Sequence, residues 1–417
     1  MWDRSAVELR TQGRRRTYAS GKDGCMLPQE CEPDRYQIAT LGVIVMKSAG
    51  MMCLLSLIVV ISVEFSFEKV TLCRTHPGSE ARQDLLSCFS AWDGEHYVRI
   101  AREGYDWRPD RRSNVAFFPA YPALGAMIHR LTGCRAELAL LFVSHAAFFG
   151  CFVVLSLYIN DRFVQQSTDL QEYSMVALGL FPTTFWMRMC CTESLFLLIM
   201  LLAMYGMRRD WHPLKVAMII GLSTGTRAEG VILVPVFCWW IWERHRRIRQ
   251  MSGPGTASRD WIRGLKRIAL IAVSLVPVTL WGLLAYMGFL WIRFGDPLVF
   301  MQTQVHLNGR LISLRFANPA VVLVTVGLLG LGARKRWLNS HELLLSAGLL
   351  GIALWFQGAQ TCIMSQPRSS SVIFPVYLVI GQILSRIPAP LASLLCSGSA
   401  VLLFFWTALF ASWYFVY

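Results

Sequence analysis

The sequence predicts an all-α fold, a polytopic helical bundle in a membrane, on three observations. Hydrophobic residues make up 54% of the 417 positions and charged residues only 16%, where soluble domains carry about 25%. The 15 Trp and 24 Phe add an apolar excess that one soluble core could not hide. Apolar runs long enough to cross roughly 30 Å of hydrocarbon as helices fall near 39–63, 138–159, 173–189, 191–207, 268–292, 319–333, 343–361, 372–386 and 390–413. Together these exclude a disordered chain, a cytosolic enzyme and a small disulfide scaffold.

Residues 1–37 are basic and polar, with Arg14-Arg15-Arg16. They are too long and wrongly composed for the charged start of a cleaved signal peptide, so a cytoplasmic segment is expected. An N-terminal helical module follows over 38–251, with a large first loop at 64–137. A basic cytoplasmic linker, 252–267, leads to a C-terminal helical module over 268–417. The stretch 215–242 holds Gly221, Gly225, Arg227, Glu229 and Gly230 at its middle. It reads either as one interrupted span or as two short helices meeting at Arg227. The segment 115–133, with Pro119 and Pro122, is expected in the interface.

Basic loops bias toward the cytoplasm. That rule places Arg4 to Arg16, Arg208-Arg209, Arg244 to Arg267, Arg334-Lys335-Arg336 and Arg386 on one side. The chain then crosses about eleven times. The loop 64–137, the Cys191–Ser194 junction, Arg227, 293–318 and 362–371 fall on the far side. Arg108, Arg111 and Arg112 break the bias, as long loops translocate regardless of charge. No internal repeat is visible, which weakens a transporter assignment.

The formal charge of +14, from 40 Lys+Arg against 26 Asp+Glu, sits in short segments between apolar runs. It therefore reports topology, and no nucleic-acid partner is expected. The 12 Cys are scattered; Cys53, Cys151, Cys238 and Cys396 lie in apolar runs as small hydrophobes. No Cys/His pattern has zinc spacing. No cofactor is required, although a divalent metal bridging Asp93 and Glu95 is left open. Cys73 and Cys88, ahead of Asp93 in the first loop, are either free thiols or a bridge that an oxidising compartment would permit.

Four motifs carry candidate chemistry. In the first loop, Trp92-Asp93-Gly94-Glu95-His96-Tyr97 packs carboxylates, a histidine and aromatics beside the membrane surface. A carboxylate there suits a general base for a sugar hydroxyl, with the aromatics as a stacking face, or the segment is a solvated amphipathic helix. Glu193, in Thr192-Glu193-Ser194, is an acid between two apolar runs, costly unless paired or wet. Arg227 lies deep in an apolar stretch, where its planar fork suits phosphate oxygens or an internal pair with Glu193 or Glu229. Arg368, ahead of Phe374-Pro375, is expected to be loop-proximal and more solvated than Arg227. Two acids and two arginines on one face are what a transferase using a lipid-phosphate sugar needs.

These residues resemble a family. Trp92-Asp93-x-x-His96-Tyr97, Ile100-Ala101-x-x-Gly104-Tyr105 and Ala116-Phe117-Phe118-Pro119-x-Tyr121-Pro122 resemble the first large loop of the PIG-V family of glycosylphosphatidylinositol mannosyltransferases and its bacterial relatives. Thr192–Phe196, Thr226-Arg227-x-x-Gly230, Phe294-Gly295-Asp296-Pro297-Leu298 and Arg368…Phe374-Pro375 follow in that family's order. The resemblance implies a GT-C glycosyltransferase, a multi-spanning bundle taking a polyprenyl- or dolichyl-phosphate sugar and inverting the anomeric carbon. It implies a glycolipid or glycan acceptor and a bacterial inner membrane or endoplasmic reticulum location, with the site on the extracytoplasmic or lumenal side. The family's catalytic acid carries over to Asp93, and Trp92, Glu95, His96, Glu193, Arg227 and Arg368 are the candidate substrate-binding residues. Glu95, and Ala228-Glu229 where the family more often has a short polar residue before the glycine, depart from its pattern. A lipid-linked sugar flippase would share the arginines without needing Asp93; a membrane scaffold would need none of the motifs.

Overall fold

The computed structural model describes residues 35–70, 84–108, 113–163, 168–251, 273–308, 317–358 and 366–414. The expected linker 252–267 and Cys73 lie outside them. Two compact units are present, Met1–Val43 and Ile44–Tyr417; of the first, only the opening turns of a helix are described. Among the described residues there are no strands. The helices are α1 (Arg35–Lys69), α2 (Leu85–Cys88), α3 (Asp93–Glu103), α4 (Ala120–Thr132), α5 (Ala136–Arg162) and α6 (Thr168–Leu180). There follow α7 (Glu193–Arg208), α8 (Pro213–Thr226), α9 (Leu233–Met251), α10 (Val273–Thr279) and α11 (Trp281–Phe294). The rest are α12 (Val299–Asn308), α13 (Ala317–Arg334), α14 (Ser340–Gly358), α15 (Gln366–Ser371), α16 (Pro375–Leu384) and α17 (Ala389–Ala411).

Among the described residues three helices are long and apolar enough to cross a bilayer, within α1, α5 and α17, or up to five spans if each bent pair counts once. Eleven crossings are not reached by length and composition. One reason is proline. The run expected at 173–189 stops at Leu180, because Pro182 has no N–H to donate and opens a 3-10 turn, Pro182–Arg188. That turn meets α7 at 97°. A second bent pair, α10 and α11, turns by 61°. Between α8 and α9 the chain takes the two-helix alternative, with Arg227 extended at the joint and a 3-10 turn at Ala228–Ile232.

Burial sorts the long helices. The apolar window of α5 is 56% buried, against 22% in α1 and 28% in α17. So α5 is the internal post, with Phe148, Phe152 and Leu155 in the main core. The outer helices turn Leu54, Leu57, Ile61, Leu394 and Val401 outward, as a lipid-facing surface requires. Glycines set one close approach: a Cβ on Gly282 of α11 would lie 2.3 Å from the Gly221 carbonyl of α8 and 2.5 Å from the Gly225 nitrogen. Any larger residue there would push α11 away from the joint at Arg227.

The first loop folds back onto the bundle. Tyr97 of α3, Phe117, Tyr121 of α4, Leu140 of α5, Cys190 and Leu195 form one buried cluster. Tyr121 donates to the Leu140 carbonyl at 3.0 Å and lies 2.8 Å from Ser144 Oγ. Within 115–133, α4 has 13 residues and exposes Leu124, Met127 and Leu131. Phe294–Leu298 is a helix junction: Gly295 has φ +79°, and Asp296 Oδ1 accepts from the Leu298 amide at 2.8 Å.

At the C-terminal end of α5, a second polar cluster ties it to α14. Glu342 is fully buried, pairs with Arg162, and accepts from Tyr158 Oη at 2.7 Å and the Asn339 amide at 2.8 Å. Removing one partner of a buried pair costs about 3–5 kcal/mol, whereas replacing both with apolar residues is often neutral. Glu342→Leu should therefore lower the thermal midpoint of the purified protein sharply, and Arg162→Met with Glu342→Leu should recover most of it. Equal loss in single and double variants would contradict this.

Candidate active site

Asp93 opens α3 at a strained corner. Trp92, just before it, holds φ +60°, a region costly for a non-glycine residue. Its indole packs on Trp413, ring centroids 5.3 Å apart, and its carbonyl accepts from the Glu95 amide at 3.2 Å. The same sharp entry lets Gly94 lie 3.5 Å, measured from a built Cβ, from the Cys190 carbonyl. The first turn of α3 is thereby set against the bend that precedes α7.

That bend delivers Glu193. Residues 189–192 follow the 3-10 turn, and the carboxylate at the start of α7 has no exposed side-chain surface. One of its oxygens, Oε1, accepts from both Arg227 Nη1 and Arg368 Nε. Arg227 comes from the joint between α8 and α9 and also grips Glu229, with Nη2 to Oε1 at 2.7 Å and Nε to Oε2 at 3.3 Å. Its Nη1 reaches Thr192 Oγ1 at 3.4 Å. Arg368, on the short helix α15, bridges Glu193 to Asp93 through Nη1, and its guanidinium lies 4.9 Å from the Trp186 ring centroid. Five charged side chains from four chain segments thus form one chain of contacts.

Four of the residues singled out in the sequence, Asp93, Glu193, Arg227 and Arg368, meet in this cluster. Both internal pairs weighed for Arg227 are present. Arg368 differs from expectation: its side chain is 9% exposed against 13% for Arg227, because Trp186 covers it. The other three pack around it on the first-loop side. Trp92 packs on Trp413 and His96 stacks on Phe117, centroids 4.6 Å apart. Glu95 stands beside Arg99 on another side of α3. Tyr97, read in the sequence only as part of the first-loop motif, sets its hydroxyl 3.5 Å from Thr192 Oγ1, and sequence reasoning missed Trp186. Nothing in the local sequence of Trp186 marks a role.

Accessibility separates the three carboxylates. The Asp93 side chain is 40% exposed, Glu229 24% and Glu193 not at all. Asp93 is therefore the most accessible acid of the cluster. Burial pushes its carboxyl up, but Arg368, then His96, outweigh that and hold it below the ordinary aspartate range. It is ionised at neutral pH. Glu95 behaves oppositely: burial pushes it up to about 7, with Arg99 only partly opposing. Among the described residues no group of three or more His, Cys, Asp or Glu side chains is placed to hold a metal ion.

Residues 46–250 match the family described as mannosyltransferase (PIG-V). The chain is 27% identical over 161 residues to GPI alpha-1,6-mannosyltransferase 2 of Cricetulus griseus and of Homo sapiens, covering 36% of this chain and 31% of each relative. For the Mus musculus protein of that name the figures are 25% over 237 residues, 54% of this chain and 45% of the relative. The chain therefore spans less than half the length of the curated relatives it matches. Among solved structures, the Archaeoglobus fulgidus oligosaccharyltransferase tethered with an acceptor peptide is similar at 12% identity, covering 92% of this chain and 56% of that one, with a TM-score of 0.44. The matched stretch contains Asp93, Glu193 and Arg227, so over these residues of the cluster the chain is similar to the mannosyltransferase (PIG-V) family.

Proposed function

We propose that the chain is an integral-membrane glycosyltransferase of GT-C architecture. It moves a sugar, mannose first among candidates, from a polyprenyl- or dolichyl-phosphate donor to a hydroxyl of a lipid-linked or glycan acceptor. The site faces the extracytoplasmic or lumenal side of a bacterial inner membrane or endoplasmic reticulum membrane, in a chain crossing about eleven times. The observation that carries the assignment is Asp93: an ionised, accessible carboxylate touching a buried arginine that is itself anchored by Glu193.

The chemistry follows from that contact. Asp93 accepts the proton of the acceptor hydroxyl, and the oxygen attacks the anomeric carbon from the face opposite the phosphate. The bond from carbon to phosphate oxygen breaks, its electron pair leaves with the lipid phosphate, and the anomeric configuration inverts. Negative charge grows on the leaving phosphate, where fixed cations act most strongly in a water-poor site. Arg368 and Arg227 supply them. Glu193 is too buried to be the base; it holds both guanidiniums in place, so little reorganisation is needed when the donor's phosphate takes over part of their contacts.

Three outcomes are expected. Asp93→Asn keeps size but loses the base, worth roughly 10²–10⁴-fold in turnover, with donor binding near normal; comparable turnover would remove the assignment. Because Asp93 is held low, kcat/KM should stay flat as pH falls from neutral to below the ordinary aspartate value of about 3.9. An acid limb centred near 7 would instead name Glu95. For the arginines, Lys keeps charge but loses the fork, so Arg→Lys should weaken activity less than Arg→Ala, with Arg368 more sensitive than Arg227 because it alone touches Asp93. Titration of donor lipid tests this; unchanged donor affinity in both Ala variants would leave the arginines as partners of protein carboxylates only.

A further inference from the structure

A recess of about 480 Å³ lies between the C-terminal end of α3 and α4, lined by Ile100, Tyr105, Pro122, Met127, Leu131 and Arg130. It belongs to neither the ion cluster nor the main core. Its wall is built by hydrogen bonds. Gly104 turns the chain out of α3 at φ +85°, and the fully buried Asn114 pins that turn, donating to the Gly104 carbonyl at 3.1 Å and accepting from the Asp106 amide at 2.8 Å. Tyr105 Oη donates to the Phe117 carbonyl at 2.8 Å.

The recess opens where α4 is most apolar outside, with Met127 51% and Leu131 78% exposed. Arg130 sits at its rim, exposed. Among the described residues it has no ion-pair partner, unlike nearby Arg102 and Arg135, which share Glu137. An apolar slot, a helix with apolar side chains turned outward and an exposed cation at the mouth suit one ligand class: a lipid with a hydrocarbon chain and a phosphate. Along α3, Ile100 is about 10 Å from Asp93 at 1.5 Å per residue. A donor's phosphate is bonded to the reacting carbon and must stay beside Asp93. A second phosphate near Arg130 therefore belongs to a different lipid, one whose reacting hydroxyl is carried away from its phosphate by intervening sugar rings.

We infer that this recess holds a hydrocarbon chain of the lipid acceptor, with the acceptor's phosphate on Arg130. The acceptor role rests on the transferase assignment above; the lipid site does not. The test uses full-length protein in phosphatidylcholine nanodiscs and a phosphatidic acid bearing a photoactivatable diazirine in its acyl chain, with the matched phosphatidylcholine as control. Phosphatidic acid should label peptides spanning 100–105 and 119–131 about fivefold more than the control, as expected for one basic residue facing an anionic lipid. Arg130→Gln should erase that preference, and Ala123→Trp, which fills the slot from a surface position, should block labelling. Equal labelling by both lipids, or an unchanged preference in Arg130→Gln, would mean ordinary boundary lipid and overturn the site. Displacement of the label by equimolar dolichyl phosphate would assign the slot to the donor and overturn the acceptor role. Asp93→Asn should label normally, so failure of the catalytic assignment leaves this result readable.

Discussion

One oxygen of Glu193 accepts from two guanidiniums in a place with no exposure of its own. A buried carboxylate alone, or two buried arginines alone, would be costly in a membrane-embedded bundle. Joined, they fix the relative positions of four separate pieces of chain: the bend before α7, the joint between α8 and α9, the short helix α15 and, through Arg368, the first turn of α3. The bends themselves serve this contact. The proline that stops the run after α6, the glycines that let α11 close on α8 and the extended residue at Arg227 all cost regular helix. Each brings a polar side chain to one point.

Charge balance makes the cluster responsive. Three carboxylates face two arginines, so the site lacks one positive charge relative to neutrality, and the excess rests on Asp93, the member with most contact to solvent. A base exposed on one side and held ionised by Arg368 on the other can accept a proton from a hydroxyl without leaving its place. Glu229 and Glu193, by contrast, orient cations. The same separation of roles explains why an acid only two residues away, Glu95, is a different kind of group: Arg99 offsets its burial only in part, so burial sets the direction.

Much of this was legible in the sequence, for a physical reason. Charged residues inside apolar runs are expensive, so Glu193 and Arg227 stand out against their neighbours, Asp93 stands out by its aromatic setting, and Arg368 by its place ahead of Phe374-Pro375. The break at Arg227 was legible from the glycines around it. The span count was not. Short apolar runs look alike whether they cross a bilayer or bend within it, and the 97° turn after Pro182 depends on tertiary packing. Nor was the cover over Arg368: Trp186 reaches it only because the 3-10 turn folds back toward α15. Local composition gives no warning of such a contact, and so Arg368 read as solvated when it is nearly closed off.

The account stands or falls on whether a sugar leaves a lipid phosphate with inversion. The direct measurement is nuclear magnetic resonance of the product formed by purified full-length protein from dolichyl-phosphate mannose and a glycolipid extract, with lipid phosphate counted alongside. The account predicts one dolichyl phosphate released per sugar transferred and an anomeric configuration opposite to the donor's. Retention of configuration, or movement of intact donor across the membrane without release of phosphate, would contradict it.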